Sequence, residues 1–98
     1  MNFDIQAVHF DLKDETREYL EKKLEKLEFA DDMLVELGFI LTKEKESHYV
    51  TEAKYHFRWG VTDVIKVKSF DLYEGLNKLI DKLDNKVKKE KKKIQQHQ

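Results

Sequence analysis

Lysines dominate the residues whose type and spacing could do chemistry. Lys78, Lys82, Lys86, Lys89 and Lys93 recur at spacings of 4, 4, 3 and 4. On a helix of about 3.6 residues per turn, that spacing stacks the five ammonium groups into one ridge. Such a ridge can meet a line of phosphates. Glu74, Asp81 and Asp84 fall on the other flank of the same segment. A helix face that is merely solvated more often interleaves acids four residues away. Sorting by sign therefore points to a polyanionic partner. Upstream, Lys22 and Lys26 share one flank while Glu18, Glu21, Glu25 and Glu28 crowd the other. The repeated sorting predicts one composite basic face. The charge balance agrees. Residues 1–81 carry 12 Lys or Arg against 18 Asp or Glu, whereas residues 82–98 carry seven Lys against Asp84 and Glu90. An acidic body with a basic end suits contact with nucleic acid through one region.

Other chemistry is sparse. Cysteine is absent, which excludes disulfides, a thiolate nucleophile and thiolate-bound metal. Serine occurs only at 47 and 69, outside any nucleophile-elbow pattern, and no glycine loop could cradle phosphate. His48, Glu52 and His56 share a strand face. The two histidines would sit about 26 Å apart on a strand, too far for one metal. Asp31-Asp32 reads as a turn. Tyr49, Tyr55, Phe57 and Trp59 could stack bases, but they share parity with Ala53, which fits a core. Trp59 beside Gly60 is the exception, at a hairpin end. No acid, base and nucleophile converge, so neither an enzyme nor a bound cofactor or metal is expected.

The elements that must position the lysines follow from periodicity. Residues 2–12 read as a strand. Phe3 and Ile5 share one parity and Val8, Phe10 and Leu12 the other, which predicts a bulge near Ala7. Asp14 is the expected N-cap of a helix over 14–28, with Thr16, Tyr19, Leu20, Leu24 and Leu27 at helical spacing. Residues 33–44 and 48–59 return to period two, with Val35, Leu37, Phe39 and Leu41 on one face of the first. After Gly60, residues 61–68 alternate again. One wet and one buried face are typical of an antiparallel sheet. From Asp71 the period is helical: Leu72, Leu76, Leu79, Ile80, Leu83 and Val87 form a stripe, extended by Ile94. The expected fold is α+β, β-α-β-β-β-α, a four-stranded sheet with two helices packed on one face. A second helix of about 25 residues is about 37 Å long, so its last lysine-rich turns should pass the edge of a small body. The length predicts a single domain over 1–98. No apolar run approaches the ~18–20 residues of a membrane span, and no secretory signal is evident at the N-terminus, so a cytoplasmic protein is expected.

The element order and several motifs resemble the ribosome hibernation promoting factor family, which includes the ribosome-associated inhibitor proteins. Asp71-Leu72-Tyr73-Glu74-Gly75-Leu76, followed by Leu79-Ile80-Asp81-Lys82-Leu83, is similar to the family's signature D-[ML]-Y-x-A-I-x-x-L-I-D-K-L. Ile5-Gln6, Thr16-Arg17-Glu18-Tyr19 and Glu21-Lys22-Lys23-Leu24-Glu25-Lys26-Leu27 resemble its first strand and helix. The likeness spans about residues 2–94 and is to the short form, without the further C-terminal domain of long members. It implies a factor that binds the small ribosomal subunit near the mRNA and tRNA sites. Such a factor blocks translation and stores ribosomes under stress. It also implies RNA contacts by Arg17, Lys22, Lys23 and Lys26 on the first helix. On the second they are Lys82, Lys86, Lys89, Lys91 and Lys93, joining Lys78 of the ridge. Asn85-Lys86 and Arg58-Trp59-Gly60 depart from the Arg-Gln and Gly-Gly that the family often has there. The expected partners are the small subunit and its RNA, with no membrane and no small-molecule substrate, and the free protein is expected to be monomeric. Two other readings stay open on residues alone. One is a general double-stranded RNA-binding module. The other is a protein-interaction module that uses the acidic flank.

Overall fold

The computed structural model describes residues 2–45 and 48–96. The order is β1 (Asn2–Val8), α1 (Asp14–Lys23) with a 3-10 continuation (Leu24–Ala30), β2 (Leu34–Lys43), β3 (Tyr49–Phe57), β4 (Thr62–Ser69) and α2 (Leu72–Gln96). The strands form one sheet in the order β1-β2-β3-β4. β2, β3 and β4 are antiparallel neighbours, as their alternation predicts. β1 runs parallel to β2, so the sheet is mixed. A parallel pair needs a long crossover, and α1 with its continuation supplies it.

The first strand differs from expectation. The register from Asn2↔Glu36 to Val8↔Thr42 is unbroken, so no bulge occurs at Ala7. The strand instead ends at Val8, and His9 takes φ 66. That turn brings Phe10 and Leu12 back against the core, which accounts for the parity change. The irregularity lies in β2, where the register shifts between Leu34 and Glu36. It lets Leu34 and Leu37 both be buried while Val35 stays exposed.

The first helix tightens rather than running as one α-helix to 28. Leu24, Leu27 and Ala30 are all buried at a spacing of three. A 3-10 helix aligns residues i and i+3 on one side, so the tightening follows the apolar period. The N-cap is Lys13 and not Asp14, with no side-chain cap bond. The Lys13 carbonyl accepts the amides of Thr16 and Arg17, each at 3.1 Å, while Asp14 and Glu15 sit in the first turn near the positive end of the dipole.

α2 begins with a side-chain cap, since Asp71 Oδ2 accepts the Glu74 amide at 3.1 Å. Its stripe is fully interior: Leu76, Leu79, Ile80, Leu83 and Val87 are each 0% exposed. It packs on β3 and β4. Gly75 makes the close approach possible, since a Cβ there would run into Ser69 Oγ. Leu20, Leu24 and Leu27 join the same core as Phe39, Tyr55 and Phe57, so both helices cover one face of the sheet. Among the described residues no helix is long and apolar enough to cross a membrane.

Candidate nucleic-acid interface

The two helices are fastened side by side through polar and aromatic contacts. Thr16 Oγ1 and Tyr73 Oη share a hydrogen bond of 3.0 Å, and Tyr19 Oη donates to Asn77 Oδ1 at 2.7 Å. The Tyr19 and Tyr73 rings meet edge to face at 4.7 Å. Farther along, Lys26 Nζ reaches Asp81 Oδ1 at 3.4 Å and Lys91 Nζ lies 5.4 Å from the centre of the Phe29 ring. Tyr73, Asn77, Asp81 and Lys91 thus mark the flank of α2 that faces α1. With the apolar stripe on the sheet, helical geometry puts Lys82, Lys86, Lys89 and Lys93 on the flank away from α1.

Lys82, Lys86 and Lys89 are exposed and form no ion pair among the described residues. Lys82 and Lys89 are seven positions apart, about 10 Å along the helix. Their mount is rigid because Leu79, Leu83 and Val87 beneath them are fully buried. Lys93 lies 3.9 Å from Glu90, a weak contact. Lys78 differs: it pairs with Glu74 at 3.0 Å, one turn earlier on the same flank. The sign sorting at the start of α2 is therefore less complete than the sequence predicts, and the free cations cluster in its later turns.

The first helix contributes differently from a single continuous basic face. Lys26 is paired with Asp81 and Lys23 lies over the Tyr19 ring at 5.5 Å. Lys22 and Arg17 are exposed. Asp81 stands between the α1 lysines and the row on α2. Lys91, on the Phe29 side, belongs with the α1 group and not with the row. Sequence reasoning passed over Lys88, which pairs with Asp84 at 3.0 Å, and Lys92, which is exposed. The spacing of Asp84 and Lys88 signals the first, as an i,i+4 pair.

The hairpin end carries Trp59. Its ring stacks on Phe57 at 5.0 Å with planes 7° apart, and Nε1 donates to Glu90 Oε1 at 3.2 Å. It braces the distal part of α2 against the sheet. Beneath it, burial, followed by the charge of Asp63, pushes the Tyr55 hydroxyl up to about 12. A shallow concavity of about 570 Å³ on the opposite sheet face gathers Asp4, Glu36, Lys54 and His56 around Gly38. Among the described residues no group of three or more His, Asp or Glu side chains could hold a metal ion. The strongest capability is electrostatic: a straight, rigid row of free ammonium groups beside a polar helix pair.

Residues 3–95 match the family described as sigma 54 modulation protein / S30EA ribosomal protein. The chain belongs to that family. A ribosome hibernation promoting factor of Azotobacter vinelandii is 32% identical over 93 residues, covering 95% of this chain and 85% of that protein. The ribosome hibernation promoting factor of Escherichia coli K12 is 29% identical over 97 residues, covering 99% and 100%. Two solved structures share the fold at 23% identity. A ribosomal subunit interface protein from Coxiella burnetii superposes with a TM-score of 0.82, over 93% of this chain and 98% of that one. The N-terminal domain of Thermus thermophilus Protein Y gives 0.79, over 91% and 98%.

Proposed function

We propose that this protein is a ribosome hibernation factor. In this reading a single non-enzymatic domain over residues 1–98 binds the small ribosomal subunit near the mRNA and tRNA sites. Binding inhibits translation under stress. The protein works in the cytoplasm and is monomeric when free. Ribosomal RNA is the direct partner. Lys82, Lys86, Lys89 and Lys93 take phosphates along α2, with Lys78 at the start of the row. Arg17, Lys22, Lys23, Lys26 and Lys91 provide a second group of contacts around α1.

The observation that carries the reading is the row Lys82, Lys86 and Lys89: exposed, without ion pairs among the described residues, and fixed on a helix whose apolar stripe is buried. The family membership and the relatives named ribosome hibernation promoting factor support the ribosome as the polyanion. Phosphate contacts of this kind position a protein on RNA without reading its sequence.

Sedimentation with intact ribosomes and with each separated subunit tests the proposal. The protein should travel with small subunits and intact ribosomes, and mRNA with tRNA should displace it. Binding to the large subunit alone would refute the placement. Equal binding to free duplex RNA, undisturbed by tRNA, would favour a general duplex-binding module.

A further inference from the structure

The open face of the sheet carries chemistry that the helix row does not use. β4 is an edge strand. Ile65, Val67 and Ser69 are buried, so Val64, Lys66 and Lys68 between them point away from the helices. This line ends at Phe70, which is 73% exposed, more than any other large hydrophobic residue among those described. The Phe70 ring lies 4.3 Å from the His48 ring, with the planes tilted by 42°. Its backbone is held on both sides. Ser69 Oγ donates to the Asp71 carbonyl at 2.8 Å, and Asp71 Oδ2 accepts the Glu74 amide at 3.1 Å. Phe70 therefore sits between a strand end and a capped helix start, displayed on a firm mount.

A lone exposed apolar residue is ordinary. Phe70 differs because a second ring supports it and cations run in line with it. Lys66 and Lys68 are two residues apart on one strand face, about 7 Å. That spacing suits adjoining phosphates of an extended single strand. Lys68 pairs only loosely with Glu44, at 3.8 Å with both side chains well exposed. Lys66 is exposed and, although it stands across from Glu52 of β3, forms no ion pair among the described residues. Asp71, the acid next in the chain, is occupied as the cap of α2. The flanking cations favour a polyanion over an apolar protein surface.

We infer that Phe70, backed by His48, stacks an unpaired RNA base while Lys66 and Lys68 take the adjoining phosphates. The inference rests on the ribosome-binding reading and deepens it. It adds a single-stranded contact on the sheet face, across the β4 edge from the lysine row of α2. Stacking tolerates any base, since every base has a π-face. Phe70 would therefore grip an unpaired nucleotide without selecting its identity.

The test compares wild type, Phe70→Leu and Phe70→Trp on two probes. One is isolated small subunits. The other is a short oligoadenylate, set against an abasic oligonucleotide of the same length. Phe70→Leu should weaken binding to subunits and to oligoadenylate by roughly five- to a hundredfold, the range of one base–aromatic stack. Phe70→Trp should bind as tightly as wild type or tighter. Wild type should prefer oligoadenylate to the abasic strand, and Phe70→Leu should lose that preference. Melting temperatures should stay close, because the ring is exposed. Unchanged binding of Phe70→Leu overturns the inference. So does a loss on subunits alone, which would make the occupant a protein, and so does a loss on oligoadenylate alone. A variant with Lys82, Lys86 and Lys89 changed to Gln, run alongside, separates the two readings. If it binds subunits like wild type, the proposed lysine interface fails, while the oligoadenylate preference still reports on Phe70.

Discussion

Leu83→Ala is the sharpest test of how α2 is seated. Leu83 is 0% exposed and lies mid-helix between Ile80 and Val87, which are equally buried. The substitution removes three carbon groups. At about 0.8 kcal/mol each, the lost transfer free energy is about 2.4 kcal/mol. A cavity between a packed helix and β3 and β4 relaxes only in part and adds about 1–2 kcal/mol. The expected loss is therefore about 3–4 kcal/mol, against a total of about 5–15 kcal/mol for a domain of this kind. In a chain of this length that is a fall in Tm of roughly 12–30 °C. The assay is thermal and denaturant unfolding followed by circular dichroism. Ile94→Ala is the internal control. It lies on the same stripe but is only half-buried, beyond Glu90 and Lys91, which meet Trp59 and the Phe29 ring. It should cost less than about 1 kcal/mol. A Leu83→Ala variant that melts with wild type would refute the helix phase on which the lysine row depends.

Three further outcomes follow from particular contacts. Because Tyr55 is raised to about 12 when folded, its contribution is intact below the ordinary tyrosine pKa of about 10 and fades as pH climbs through 12, by about 2–3 kcal/mol in all. The stability difference between wild type and Tyr55→Phe, measured from pH 9 to 12, should drift in favour of the variant by that amount; a flat difference would contradict the shift. Tyr19→Phe removes the 2.7 Å bond to Asn77 and should cost about 1 kcal/mol in denaturant unfolding, with no loss if the two helices are not fastened there. Trp59→Leu should speed amide exchange in α2 around Glu90 while leaving exchange near Leu79 unchanged; uniform protection would show that Trp59 braces nothing.

The architecture was largely legible because its apolar periods are clean. Leu76, Leu79, Ile80, Leu83 and Val87 have one helical solution, and Ala53, Tyr55 and Phe57 one strand face, and both are buried as read. What escaped is what periodicity cannot encode. The parity change in 2–12 demands an interruption but does not say whether a bulge or a turn supplies it, and His9 at φ 66 supplies it as a turn. The parallel direction of β1 depends on where a crossover delivers the chain, which is a tertiary matter. The 3-10 continuation could have been read from Leu24, Leu27 and Ala30, whose spacing of three is in the sequence. The lysine row was legible from spacing within one helix. The composite face was not, because charge sorting on two separate helices does not say which flanks meet. The meeting flanks turn out to pair Lys26 with Asp81.

The central claim is that Lys82, Lys86 and Lys89 hold RNA phosphates on the small subunit. It is tested most directly by replacing all three with Gln and measuring co-sedimentation with small subunits across a salt series. The three sites are exposed and Gln is close to Lys in helix propensity, so each change should move stability by no more than about 0.5 kcal/mol. Wild-type affinity should fall with salt at a log–log slope of roughly −4, by analogy with duplex nucleic acid. The variant should bind far more weakly, with a slope shallower by about 2 to 3. A folded variant that binds small subunits like wild type, with the same salt slope, would contradict the account.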